Sequence, residues 1–185
     1  MVSFENVNNV IGQYLSDGAQ DQSVENSEEW NGNEGDENIR IFKTAVYPGD
    51  KAGGFHTGTD IFIEIEGEVL KPILGLVMGF TLWSQFEYEL AYMLFDDDQS
   101  PPVSEVKPGL FRKRFKIPAN SLAEGEYKIQ FDIGIHMLKR IVNNECNLAF
   151  TLVNVSGNGR RFTVNYGTRG RSSILRPSWY VAGDE

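Results

Sequence analysis

Lys128, Gln130, Asp132 and His136 stand at even spacing in the run EYKIQFDIGIH. On an extended chain, where successive side chains point to opposite faces, all four project the same way. A second run places Gly75, Val77, Gly79, Thr81 and Trp83 on one face. Together these faces offer an indole ring, an amide, a carboxylate and two cationic or ionisable nitrogens. That mix suits a sugar, which shows apolar C–H faces for stacking and hydroxyls that both donate and accept. Trp83 would stack, Gln130 and Asp132 would bond hydroxyls, Lys128 and His136 would donate, and Gly75, Gly79 and Gly134 would leave a shallow groove. The plainer reading is equally open: Trp83 covers the rim of a core, and the polar residues are ordinary solvent-facing positions.

Catalysis asks for a convergent acid, base or nucleophile. His56 and His136 are the only histidines and fall in different segments. Glu64 and Glu66 share a strand face, which would serve glycoside hydrolysis only with an opposing carboxylate across a cleft. Should the binding face lie elsewhere, Phe62, Glu64 and Glu66 are the next residues to consider. Asp96, Asp97 and Asp98 lack the alternate spacing, glycine and distant glutamate of a calcium loop, and so read as a solvated turn. The glycines at 53, 54 and 58 lack the Gly-Lys-Ser/Thr of a phosphate loop. Asn154-Val155-Ser156 has the form of a glycosylation acceptor, which carries no weight without a secretory signal. The expectation is a protein that is not an enzyme, with no cofactor and no metal.

These residues need rigid strands to hold them. The strongest stretch is Phe111–His136, two strand patterns joined by a corner. Phe111, Phe115 and Ile117 alternate, Pro118, Asn120 and Ser121 end the first strand, and Gly125 opens the second, in which Tyr127, Ile129, Phe131, Ile133 and Ile135 alternate. Further strands are expected from Ile39 to Tyr47, at Ile61–Glu66, Leu74–Trp83 and Tyr88–Phe95, from Leu138 to Val155 around Cys146, Leu148, Phe150 and Leu152, at Arg161–Asn165 and at Ile174–Val181. Eight or nine short strands with regular turn signals and no interposed helix predict an all-β fold, an immunoglobulin-like antiparallel β-sandwich. The disulfide and tryptophan spacing of antibody domains is missing, and Cys146 is the only cysteine.

The chain has 185 residues and a net charge of −9. Residues 1–36 hold eight acids and no Lys or Arg; the rest, with 18 acids and 17 bases, is nearly neutral. That balance lacks the basic footprint of nucleic-acid binding, so no nucleic-acid partner is expected. No run is long and apolar enough to span a bilayer, and the first residues do not read as a signal peptide. Phe4, Val7, Ile11 and Tyr14 fit one side of a short helix. Residues 1–36 are therefore expected to be an acidic linker with a short helix, dispensable for folding, and residues 37–185 the sandwich.

The order of these features resembles a known family. The run PGLFRKRFKIPANSLAEGEYKIQFDIGIH, preceded by FHTGTDIFIEIE and followed by RPSWYV, is similar to the C-terminal carbohydrate-binding domain of Wzt-type proteins, the ATP-binding subunits of ABC transporters that export O-antigen polysaccharide. Thr57, Gly58, Gly109, Phe115, Ile117, Pro118, Leu122, Gly125, Tyr127 and Trp179 match that pattern, over about residues 37–183. NVIGQYLSD looks like the segment that leaves the ATPase domain in such transporters. No Walker motif is present, so the chain reads as a fragment or a stand-alone module. The resemblance implies a module that recognises the finished O-antigen, through its non-reducing end, in the cytoplasm at the inner membrane. It also implies coupling to the transporter's membrane subunit through an ATPase domain outside this sequence, and a homodimer. The basic hinge from Gly167 to Ser173, followed by Ile174, Leu175, Trp179 and Tyr180, suggests exchange of the terminal strand between copies. The rival class is a protein-binding immunoglobulin-like module with no glycan ligand.

Overall fold

The computed structural model describes residues 28–142 and 144–153. The helix expected near Phe4, the strands expected after Val153, Trp179, the basic hinge and Asn154 lie outside the described residues.

Isoleucine alternation produces the first sheet. β1 (Glu29–Gly35), β2 (Ile39–Pro48), β3 (Ile61–Val69) and β8 (Gly109–Ile117) pair antiparallel in the order β1-β2-β3-β8. Ile39, Ile41, Ile61, Ile63 and Ile65 point inward and are buried, while Lys43, Tyr47, Phe62, Glu64, Arg112 and Arg114 take the outward positions. The second sheet holds β5 (Leu76–Ser84), β6 (Glu89–Leu94), β9 (Gly125–Ile135), β10 (Lys139–Arg140) and β11 (Leu148–Leu152). Here β9 is central: β5 pairs along one edge, and β10 and β11 share the other. The short strands β4 (Ile73–Leu74) and β7 (Glu105–Val106) pair with each other.

The inner faces of the two sheets meet in one core. Met78, Phe80, Leu82, Tyr127, Ile129, Phe131, Ile133, Phe150 and Leu152 are each at most 2% exposed. Phe80 meets Phe115 of the opposite sheet edge to face, ring centroids 5.1 Å apart, and Tyr127 stacks on Phe150 at 5.4 Å. Thr44 adds a polar tie, its hydroxyl donating to the Cys146 carbonyl at 2.8 Å.

The connectivity is immunoglobulin-like. β2, β3 and β8 stand as the first, second and fifth strands of that fold, facing β6, β5, β9 and β11 as its edge, third, sixth and seventh. Tyr127, near the start of β9, donates its buried hydroxyl to the Ala123 carbonyl at 2.8 Å. This is the tyrosine corner that such sandwiches use to fix the crossing between sheets.

Three expectations change. The linker does not extend to residue 36: β1 lies within it, paired with β2 from Glu29↔Ala45 to Gly35↔Arg40. Trp30 packs against the core, its ring folded over Gly32. One indole on an edge strand supplies that anchor, too sparse a pattern to register as alternation in a polar run. The stretch expected as a single strand around Cys146 is divided into β10, a 3-10 turn at Asn144–Cys146, and β11. Gly79 and Gly134 do not leave open space: a Cβ on Gly79 would stand 1.9 Å from the Met93 carbonyl oxygen, and one on Gly134 would stand 2.5 Å from that of Lys139. Both glycines admit a neighbouring backbone.

Candidate functional site

The β9–β5 register decides which predicted site residues meet. Lys128 stands opposite Trp83, Gln130 opposite Thr81, and Asp132 opposite Gly79. All project from the outer face, because the intervening Ile129 and Phe131 fill the core. The Trp83 indole N–H donates to Gln130 Oε1 at 3.1 Å, which holds ring and amide in one orientation. The amide nitrogen of Gln130 remains a donor for a ligand.

Asp132 belongs to a second grouping on the same face. Its Oδ2 accepts a 2.7 Å hydrogen bond from the Tyr92 hydroxyl of β6. Burial first, and then the Asp132 carboxylate, push the Tyr92 phenol well above its usual range, so it stays a donor to Asp132. Asp132, His136, Tyr92, Lys139 and Arg140 line a cavity of about 340 Å³. His136 follows β9 directly, its backbone N–H donating to Gly75 at 2.9 Å. Lys139 is tied to the Asp36 carboxylate in the β1–β2 turn. Burial would raise the Asp36 carboxyl, but Lys139 and the backbone N–H groups of Asn38 and Ile39 outweigh it and hold the acid at about 2.

Trp83, Lys128, Gln130 and Asp132 thus share one sheet face, Trp83 grouped with Lys128 and Gln130, while Asp132 meets His136, in the turn after β9, at the cavity. Roughly 13 Å of strand separates Lys128 from Asp132, at about 3.3 Å per residue. Trp83 does not line the cavity. Tyr92 and Arg140 complete the second group and went unread in the sequence. The run ELAYML is apolar without alternation, and the β5–β6 register shifts between Leu82 and Trp83, so no face could be assigned to Tyr92.

Other sequence signals resolve into structure. Asp96 and Asp97 accept from the backbone N–H groups of Val103 at 3.0 Å and Leu94 at 2.7 Å, which makes the acidic triplet a turn. Thr57, in the glycine-rich loop, is buried, bonds Val153 at 3.0 Å and accepts from Asn120 at 2.7 Å, tying the loop to β11 and to the β8–β9 corner. His56 Nδ1 accepts from the Gly58 N–H at 3.1 Å within that loop, in a different element from His136.

The fold has a counterpart among solved structures. The chain is similar in fold to the C-terminal domain of Wzt. The alignment covers 85% of this chain and 89% of that one with a TM-score of 0.50, at 8% sequence identity. No family model and no curated protein matches the chain. At that identity the shared property is the all-β sandwich, and the face described above rests on this chain's own residues.

Proposed function

We propose that this domain binds a polysaccharide across the outer face of the β6–β5–β9 sheet, as the carbohydrate-recognition module of an O-antigen exporter. The observation that carries this reading is the joint orientation of Trp83 and Gln130 by their mutual hydrogen bond, on the same rigid face as the Asp132–Tyr92 pair. A stacking ring and fixed polar groups in line are what a chain of sugar rings requires. The similarity in fold to the Wzt domain supports the same reading. Within it, the completed glycan is recognised near its non-reducing end before export, in the cytoplasm beside the inner membrane, by a homodimer joined to the membrane subunit through an ATPase domain. Sedimentation at micromolar concentration tests the dimer; monomer alone contradicts it.

The test of the ligand is calorimetric binding of the full chain to a panel of O-polysaccharides. Trp83→Ala and Gln130→Ala should each weaken binding by about 1–2 kcal/mol in a folded protein, the range for residues central to a contact. A second reading, a protein-binding module, draws on Leu74, Leu110, Met137 and Leu138, which are 68–92% exposed. It predicts no glycan binding and a partner lost on Leu138→Asp.

A further inference from the structure

The outer face of the opposite sheet is built more tightly than a solvent-facing surface needs to be. Its register rows read Glu29, Ala45, Glu64, Arg114 and then Asn31, Lys43, Glu66, Arg112, with Tyr47 beside Phe62 in the next row. Cross-strand charge pairing alone explains Glu66 with Arg112 at 3.2 Å. It does not explain Glu64, which is 2% exposed on the side of the sheet that faces water. Glu64 Oε1 accepts from Arg112 Nη2 at 2.7 Å, and Oε2 accepts from the Tyr47 hydroxyl at 3.0 Å and Arg114 Nε at 3.1 Å. A carboxylate so engaged serves to fix its donors. Two guanidinium groups that would otherwise sample many rotamers are held in place, still 58% and 50% exposed.

Beside them stands a stacking platform. Tyr47 and Phe62 stack with centroids 5.7 Å apart, and the Arg114 guanidinium lies 5.8 Å and 5.7 Å from the two rings. Ala45, the smallest side chain of its row, sits in the floor of a cavity of about 550 Å³ bounded by these groups. Lys43, Lys51, Arg112 and Arg114 line it together with three carboxylates, Glu28, Glu29 and Glu64, and a fourth, Glu66, pairs with Arg112 at 3.2 Å from outside the lining. An anionic ligand would therefore meet no net attraction. An uncharged polyol could take hydrogen bonds from the guanidinium edges, give them to Glu28 and Glu29, and lay its C–H face on the rings.

We propose that this face is a second glycan site, selective for uncharged sugar residues. Its ligand class rests on the glycan-binding reading above, while its residues are independent of the Trp83 face. Two sites on opposite sheets would let one domain engage two segments of a repeating polymer, or two chains.

The test is calorimetry of the full chain with uncharged gluco-, manno- and galacto-oligosaccharides, and with oligogalacturonate as the charged counterpart of the last. The proposal expects two sites per chain for an uncharged oligosaccharide. Phe62→Ala, which leaves Glu64 and its donors in place, should weaken one of them tenfold or more. Arg114→Lys should do the same while the melting temperature stays near that of the wild type, and Trp83→Ala should affect only the other site. Loss of all binding in Trp83→Ala, with Phe62→Ala and Arg114→Lys unchanged, overturns the second site and leaves the first. Loss of all binding in Phe62→Ala with Trp83→Ala unchanged removes the first and keeps this one. Oligogalacturonate preferred at the Phe62-dependent site overturns the assignment to uncharged sugars, and no binding of any oligosaccharide overturns both readings.

Discussion

Glu64 shows how much one side chain can depend on its neighbours. Burial would raise its carboxyl, but the bonds from Arg112, Tyr47 and Arg114 prevail and hold it at about 2, below the ordinary value of 4.5. The unfolded chain therefore takes up this proton before the folded one as pH falls. Stability from this group is present above about pH 4.5 and is lost progressively toward about pH 2. Glu64→Gln should flatten that acid limb and cost about 2 kcal/mol at neutral pH, less than for a fully buried pair because the guanidinium groups stay half in water. Urea melts at pH 7 and pH 3 measure both effects, and an unchanged pH slope contradicts the assignment. Cys146 is fully buried and its thiol is pushed up to about 11, chiefly by burial. It should react with maleimides only as fast as the core opens. At this scale the sequence was informative where alternation was strict: Lys128, Gln130 and Asp132 shared a face because nothing interrupts the period of two. Tyr47, Arg112 and Arg114 also alternate, but their convergence on Glu64 depends on which strands are neighbours, and alternation within a strand does not carry that.

Among the elements, β9 carries the most and was the most legible. Its five alternating apolar residues sit between β5 on one edge and β10 and β11 on the other, which places it inside its sheet. Phe131→Ala should open a core cavity and cost about 3–5 kcal/mol, read as a lower denaturation midpoint at an unchanged slope. β1 is the opposite case. Glu29–Gly35 has a single aromatic anchor, Trp30, and its other residues face water or the turn. Trp30→Ala should cost about 2 kcal/mol, and deleting residues 1–36 should also lower the midpoint by uncovering the edge of β2. Deletion of residues 1–27 alone leaves β1 and its pairing in place, so a midpoint that falls equally in both truncations would contradict this account of β1. An edge strand can be fixed by its backbone ladder with little help from its side chains, which is why composition pointed to a linker there.

At the scale of the molecule, the all-β sandwich followed from turn signals and apolar periods, whereas the strand order and the tyrosine corner at Tyr127 needed the structure. The outer faces were less legible, because a polar outward residue looks the same whether it meets water or a ligand. The proposal rests on geometry: the Trp83–Gln130 bond and the Tyr92–Asp132 bond hold these groups in fixed orientations on that face. The most direct test of the central claim is the indole N–H resonance of Trp83, followed by NMR as O-polysaccharide is titrated into the full chain. The account predicts a saturable shift of that resonance together with the amides of Lys128, Gln130 and Asp132. A bound polysaccharide that leaves the Trp83 indole and these amides unmoved would contradict it.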